Sequence, residues 1–94
     1  HRNSYGKRIV EGVIGVAYSA DPRRAAALLA AELARIPGVA TVPAPQVGID
    51  GFRETSIALG YRYWVETRAY FDTRHAVNAA IYGTLIDAGV DILP

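Results

Sequence analysis

The residues of this 94-residue chain that could carry out chemistry are few and widely spaced. Its imidazoles, which are common metal ligands and proton carriers, are His1 and His75. His75 falls on the outward side of a predicted helix with one acidic neighbour at helical spacing, Asp72, whereas a metal site needs several convergent ligands. Cysteine is absent, which excludes disulfides, zinc ribbons and thiol catalysis. The sequence therefore predicts no metal centre and no cofactor.

Patterns for nucleophilic catalysis and phosphate binding are also missing. Ser19 and Ser56 lack the flanking glycines of a nucleophile elbow. Gly12 and Gly15 lie inside a predicted strand, not at a strand-to-helix turn where backbone amides would face a phosphate. The nine acidic residues fall mostly at element ends or outward positions, and Asp21 is interpreted as a helix cap. We therefore expect a protein that is not an enzyme.

The composition is that of one packed domain. Apolar residues make up 51% of the chain and charged residues 20%, which excludes a disordered tail. A length of 94 residues allows a single, modest core. The net charge of +1 argues against a strongly electrostatic partner such as nucleic acid. The longest apolar run, residues 25–31, is far shorter than the ~20 residues of a membrane span.

Hydrophobic periodicity and turn residues predict six elements. Asp21 and Pro22 supply a cap and a first-turn proline, and Pro37-Gly38 ends the helix that they begin. Gly89 is the expected C-terminal cap of a second helix. In chain order, the predicted elements are strand 7–18, helix 22–36, strand 46–52, strand 55–66, helix 68–88 and strand 90–93.

This order predicts a ferredoxin-like βαββαβ fold of the α+β class. Two right-handed crossovers around a central hairpin give a two-layer sandwich, with a four-stranded antiparallel sheet and both helices on one face. The other sheet face carries Ile9, Val13 and Trp64 and is left open to water or to a partner. We place the domain at residues 8–94 and interpret residues 1–7 as a boundary or linker segment.

Two surfaces are candidate subunit contacts. On the open sheet face, Trp64 is the outward-pointing aromatic residue, with Arg62 beside it. On the outward face of the second helix, His75, Tyr82 and Ile86 fall on one stripe, where a solvated helix would carry charges. Single apolar surface residues are common, but a contiguous stripe is typical of a buried contact.

A small-ligand or RNA-binding module with the same soluble ferredoxin-like fold is the alternative interpretation. RNA-binding modules stack bases on several aromatics of the open face. Here Tyr18, Tyr61 and Tyr63 share the parity of the core positions, and Trp64 alone points outward. A net charge of +1 gives such a platform little attraction for phosphates. Contact with another protein surface is therefore the favoured interpretation of Trp64.

Short segments in a fixed order cover nearly all of the chain from Arg8 to Leu93. They are Ile14-Gly15-Val16-Ala17-Tyr18, Asp21, Pro37-Gly38-Val39, Pro43-Ala44-Pro45-Gln46-Val47, Ser56-Ile57, Arg62-Tyr63-Trp64-Val65, Ile81, Leu85 and Ala88-Gly89-Val90-Asp91-Ile92. This ordered set resembles the C-terminal cytosolic domain of small-conductance mechanosensitive (MscS-like) ion channels. Two positions depart from the family pattern: Leu93 stands where a proline is usual, and Ile86 is more often polar.

The resemblance implies a homo-oligomeric membrane channel, typically a heptamer, that opens under bilayer tension and releases small solutes. It implies a ferredoxin-like domain on the cytoplasmic side of the cell membrane, which frames a vestibule and whose last strand helps to close its base. The pore helix and middle β-domain of the family are not found in these residues. Membrane contact is therefore expected through other parts of the parent chain, and no nucleic-acid partner is expected.

Overall fold

The computed structural model describes residues 6–94, which form one sheet, two α-helices and a short 3₁₀ turn. In order these are strand β1 (Lys7–Val16), helix α1 (Pro22–Leu33), strand β2 (Gln46–Phe52), strand β3 (Ile57–Glu66), the 3₁₀ turn Thr67–Ala69 and helix α2 (Tyr70–Asp87). The central strand is β3, paired antiparallel with β1 on one side and β2 on the other. Most of the predicted boundary segment 1–7 lies outside the described residues, and its last residue begins β1.

Helix α1 begins where the sequence predicts. The Asp21 side chain accepts hydrogen bonds, at 3.0 and 3.4 Å, from two amides of the first turn, and Pro22 occupies the first helical position. The helix ends at Leu33, earlier than predicted, because the following turn tightens to i→i−3 hydrogen bonds. Gly38, with a φ of +97°, then turns the chain away from the helix axis.

Both helices pack on the same face of the sheet, as predicted. Alternate side chains of β3 point into this layer, and three of them, Leu59, Tyr63 and Val65, have no exposed surface. One continuous core joins them to β1 and to both helices. Its other buried members are Val10, Val16, Ala25, Leu29, Leu33, Val39, Ile57, Val77, Ile81, Leu85 and Val90.

Helix α2 is preceded by the 3₁₀ turn and therefore begins two residues later than predicted. It ends at Asp87, one residue before the predicted end, and Gly89, with a φ of +73°, follows as the predicted glycine cap. The Gly89 amide donates to the carbonyl of Ile86, and the Val90 amide donates to that of Leu85. These bonds satisfy carbonyls of the last turn that would otherwise lack partners.

The prediction of a fourth strand at residues 90–93 is wrong for the described chain, and the sheet has three strands. The segment makes a single isolated antiparallel bridge, between Val16 and Ile92, on the outer side of β1. Two local constraints keep the pairing short. The Val90 amide is already used to close α2, and Pro94 has no amide to donate.

The C-terminal segment (residues 91–94) instead folds over one end of the open sheet face. Its Leu93 amide donates to the Gly15 carbonyl at 2.9 Å, and the Ser56 hydroxyl donates to the Pro94 carbonyl at 2.8 Å. The Leu93 carbonyl oxygen lies where a Cβ on Gly15 would project. Gly15 and Ser56 are therefore buried although they face away from the helices.

Candidate subunit-contact surfaces

The open face of the sheet carries Arg62 and Trp64, as the strand parity predicts. Antiparallel pairing places Trp64 opposite Ile9 and Arg62 opposite Glu11. The Arg62 guanidinium lies 3.4 Å from the Glu11 carboxylate, and both side chains are more than half exposed, so the pair contributes only about 0–1 kcal/mol. Trp64 and Ile9 are half-buried. This face therefore combines an apolar patch with an adjacent, solvated ion pair.

An open groove of about 610 Å³ continues this face toward β2. Its floor is formed where Gly60 of β3 pairs with Gly48 of β2, because neither residue has a side chain to fill the space. Val13, which is 47% exposed, and Asp50 stand on its two sides. This groove was not predicted from the sequence, where its signal is the presence of glycines in two neighbouring strands. The groove has room for side chains of a partner.

The outward face of α2 is exposed along its length. Tyr82 is 61% exposed and Ile86 51% exposed, and His75 is exposed on the same side. Phe71, which was not predicted as a contact residue, lies one turn before His75. Phe71 is 66% exposed, and its ring meets the Tyr70 ring edge-on at 5.0 Å between centroids. Helical spacing places these residues on one line. We name the α2 stripe as Phe71, His75, Ala79, Tyr82 and Ile86.

The two surfaces lie on opposite sides of the domain. The buried side chains of α2 face the sheet, so the α2 stripe forms part of the outer surface of the helical layer. The open sheet face forms the outer surface of the other layer. The structure thus brings Arg62 and Trp64 together, and His75, Tyr82 and Ile86 together, but keeps the two groups apart within one chain.

Two tyrosines of β3 lie beneath α2, with their rings stacked 6.3 Å apart. Burial, opposed by the charge of Arg74, raises the pKa of Tyr61. Burial also raises the pKa of Tyr63 from 10.0 to about 12, with a further increase from Tyr61 and an opposing effect from Arg74. Both phenols are therefore neutral at physiological pH.

The raised pKa of Tyr63 predicts that the folded domain loses stability at alkaline pH. Because its folded pKa is about 12 and its ordinary value is 10.0, the folded state holds the proton more tightly in that window. The stabilisation is complete below pH 10.0 and is lost as the pH rises through about 12. Its size is on the order of 2 kcal/mol.

Urea denaturation between pH 8 and 11 measures this effect. We expect Tyr63→Phe to flatten the decline of unfolding free energy with pH, since the variant has no phenol at this position. Tyr82→Phe is the matched control, because Tyr82 is 61% exposed, and it should follow the wild-type curve. Parallel curves for Tyr63→Phe and wild type would show that Tyr63 titrates like a solvated phenol.

Within residues 6–94, no three or more His, Cys, Asp and Glu side chains come together as a metal site would require. In the same part of the chain, neither helix has the length and apolar character needed to span a bilayer.

Comparisons with known proteins give one family and one fold. Residues 10–92 match the family described as mechanosensitive ion channel MscS, C-terminal. The crystal structure of Helicobacter pylori MscS in its closed state matches 95% of this chain with a TM-score of 0.86 and 20% sequence identity. At that identity the similarity is one of fold, and the matched part is 36% of the H. pylori chain. No curated protein matches the sequence.

Proposed function

Because this chain belongs to the mechanosensitive ion channel MscS family, matching its C-terminal domain, we propose that it is a vestibule and assembly domain of a membrane channel. The parent protein is then a homo-oligomer, a heptamer as is typical of the family, that releases small solutes under membrane tension. The domain, at residues 8–94, lies on the cytoplasmic side of the cell membrane and carries out no enzymatic reaction. Parts of the parent chain outside these residues contact the membrane.

The observation that carries this proposal is the presence of two different exposed apolar surfaces on opposite layers. A closed ring of identical subunits with head-to-tail contacts needs two unlike patches on each copy, one for each neighbour. The α2 stripe offers a convex row of side chains. The open sheet face offers Trp64 and a glycine-floored groove. We propose that the α2 stripe of one copy packs against the open sheet face of the next.

The expected strength of this contact is modest. Burying apolar surface contributes roughly 25 cal/mol per Å². Association and side-chain ordering cost a large part of that gain. The isolated 94-residue chain is therefore expected to be monomeric or weakly associated, and the membrane part of the parent chain holds the ring together.

Charge substitutions on the two surfaces test the proposal in the full-length parent protein. We expect Tyr82→Glu and Trp64→Glu each to reduce the assembled fraction in detergent and survival after osmotic downshock, because each places a carboxylate in an apolar contact. Thr55→Glu is the matched control, since Thr55 lies in the exposed turn between β2 and β3, outside both surfaces. Circular dichroism of the 94-residue variants checks that they fold. Wild-type assembly and survival for both variants would refute the contact assignment.

A further inference from the structure

The groove on the open sheet face carries a carboxylate on its floor. Strand β2 pairs Ile49 and Gly51 with consecutive residues of β3, so Asp50 is the extra residue of a β-bulge. The bulge aims Asp50 across the groove, where one of its carboxylate oxygens lies 3.2 Å from the position that a Cβ on Gly60 would take. The missing side chain of Gly60 therefore makes room for this carboxylate.

The charge of Asp50 is not balanced within the chain that the structure describes. Two other charged residues line the groove, Glu11 and Arg62, and they pair with each other at 3.4 Å. The Asp50 carboxylate has no ion pair or hydrogen bond among residues 6–94. The groove therefore presents one negative charge and a free hydrogen-bond acceptor to the group that enters it.

The α2 stripe carries a side chain of the complementary kind. His75 is exposed, and its imidazole also has no ion pair or hydrogen bond among the described residues. An imidazole has one N–H donor when neutral and two when charged. The donor that His75 presents on the outer surface therefore matches the acceptor that Asp50 presents in the groove, in either protonation state.

The spacing of residues along the two surfaces agrees with this match. Gly60, on the groove floor, and Trp64 are separated by about 13 Å along the extended strand β3. On α2, His75 lies about 10.5 Å from Tyr82 and about 16.5 Å from Ile86 along the helix axis. With His75 in the groove, Trp64 therefore falls between the next two large members of the stripe, and apolar side chains meet the apolar patch.

We infer that, in the assembled channel, His75 of one copy donates a hydrogen bond to the Asp50 carboxylate in the groove of the next copy. This inference rests on the subunit contact proposed above and fixes its register: α2 runs in the same direction as the β3 strand on which it packs. In the opposite direction Tyr82 would face Asp50, and the imidazole would lie on the apolar patch around Trp64, where its polar atoms would lose partners.

Cysteine cross-linking of the full-length parent protein tests the pairing, because residues 1–94 contain no cysteine. Any cysteine elsewhere in the parent chain is first changed to serine. We expect Asp50→Cys combined with His75→Cys to give covalent ladders of subunits with a short bifunctional thiol reagent, and each single variant to give none. The cross-link joins two copies, since the two positions lie on opposite layers of one chain.

Glu54→Cys combined with His75→Cys is the matched control, because Glu54 is exposed in the turn after β2, outside the groove, and it should give no ladder. A ladder from Asp50→Cys with Tyr82→Cys, but not with His75→Cys, would show the opposite register and overturn the pairing. No ladder, in a protein whose assembly Trp64→Glu weakens, would overturn the pairing and leave the surface contact in place. No ladder and no effect of Trp64→Glu would overturn both.

A charge exchange gives a second test if the cysteine variants do not assemble. His75→Glu should lower the association constant about fivefold, because it places a second carboxylate against Asp50. Adding Asp50→Arg should restore assembly, since opposite charges then meet again, whereas adding Glu54→Arg should leave the defect unchanged. An unchanged association constant in His75→Glu, or equal assembly of the two double variants, would contradict the pairing.

Discussion

Gly15→Ala is expected to lower the free energy of unfolding by about 2–4 kcal/mol, because it displaces the C-terminal segment from the sheet. The new Cβ meets the carbonyl oxygen of Leu93, which is backbone and cannot rotate away. As the segment retreats, it loses the hydrogen bond from Leu93 to Gly15 and the one between Ser56 and Pro94. Ser56 is fully buried, so its hydroxyl loses a partner in a place where that loss is costly.

Gly48→Ala is the matched control for this prediction. It makes the same chemical change in the same sheet, but no atom lies within 4 Å of the position its Cβ would take. Urea denaturation should therefore show no loss of stability for Gly48→Ala. Hydrogen exchange of the Leu93 and Ala17 amides should accelerate only in Gly15→Ala, because both amides donate across the contact. Equal stabilities for the two alanine variants would mean that the segment does not stabilise the domain.

The second large effect is expected in α2, where neighbouring residues face opposite environments. Leu85 has no exposed surface and belongs to the continuous core. Leu85→Ala should lower the free energy of unfolding by about 2–5 kcal/mol, through lost burial and the cavity that remains. Ile86 is 51% exposed on the α2 stripe, so Ile86→Ala should change stability by no more than about 0.5 kcal/mol.

Two measurements distinguish the core role of Leu85 from the contact role of Ile86. Urea or thermal unfolding of the 94-residue chain should distinguish Leu85→Ala clearly from Ile86→Ala. In the full-length parent protein, Ile86→Ala should instead reduce assembly, because its side chain lies on the proposed contact. A destabilisation by Ile86→Ala as large as that by Leu85→Ala would place Ile86 in the core and remove it from the α2 stripe.

Local signals in the sequence predicted much of the fold. Asp21 and Pro22 marked the start of α1, because capping depends on the residues next to the helix end. Gly89 marked the end of α2 for the same reason. The bounds of β2 were predicted correctly, and alternation along β3 assigned Trp64 and Tyr63 to opposite faces.

Features that depend on distant parts of the chain were missed. Residues 90–93 have the composition of a strand, but the sequence pattern does not reveal that the Val90 amide is used by the turn after α2. The Arg8 guanidinium stacks on the Tyr70 ring, 3.8 Å from its centroid. No local pattern marks this contact, because the two residues are far apart in the sequence. Phe71 was not predicted as a contact residue, because it lies in the first turn of α2, next to the helix start, which was predicted two residues too early.

The fluorescence of Trp64 reports whether the open sheet face is covered by a partner. Trp64 is the only tryptophan, it is half-buried, and it lies on the open sheet face. A neighbouring subunit that covers this face removes water from the indole, which shifts its fluorescence emission to shorter wavelength.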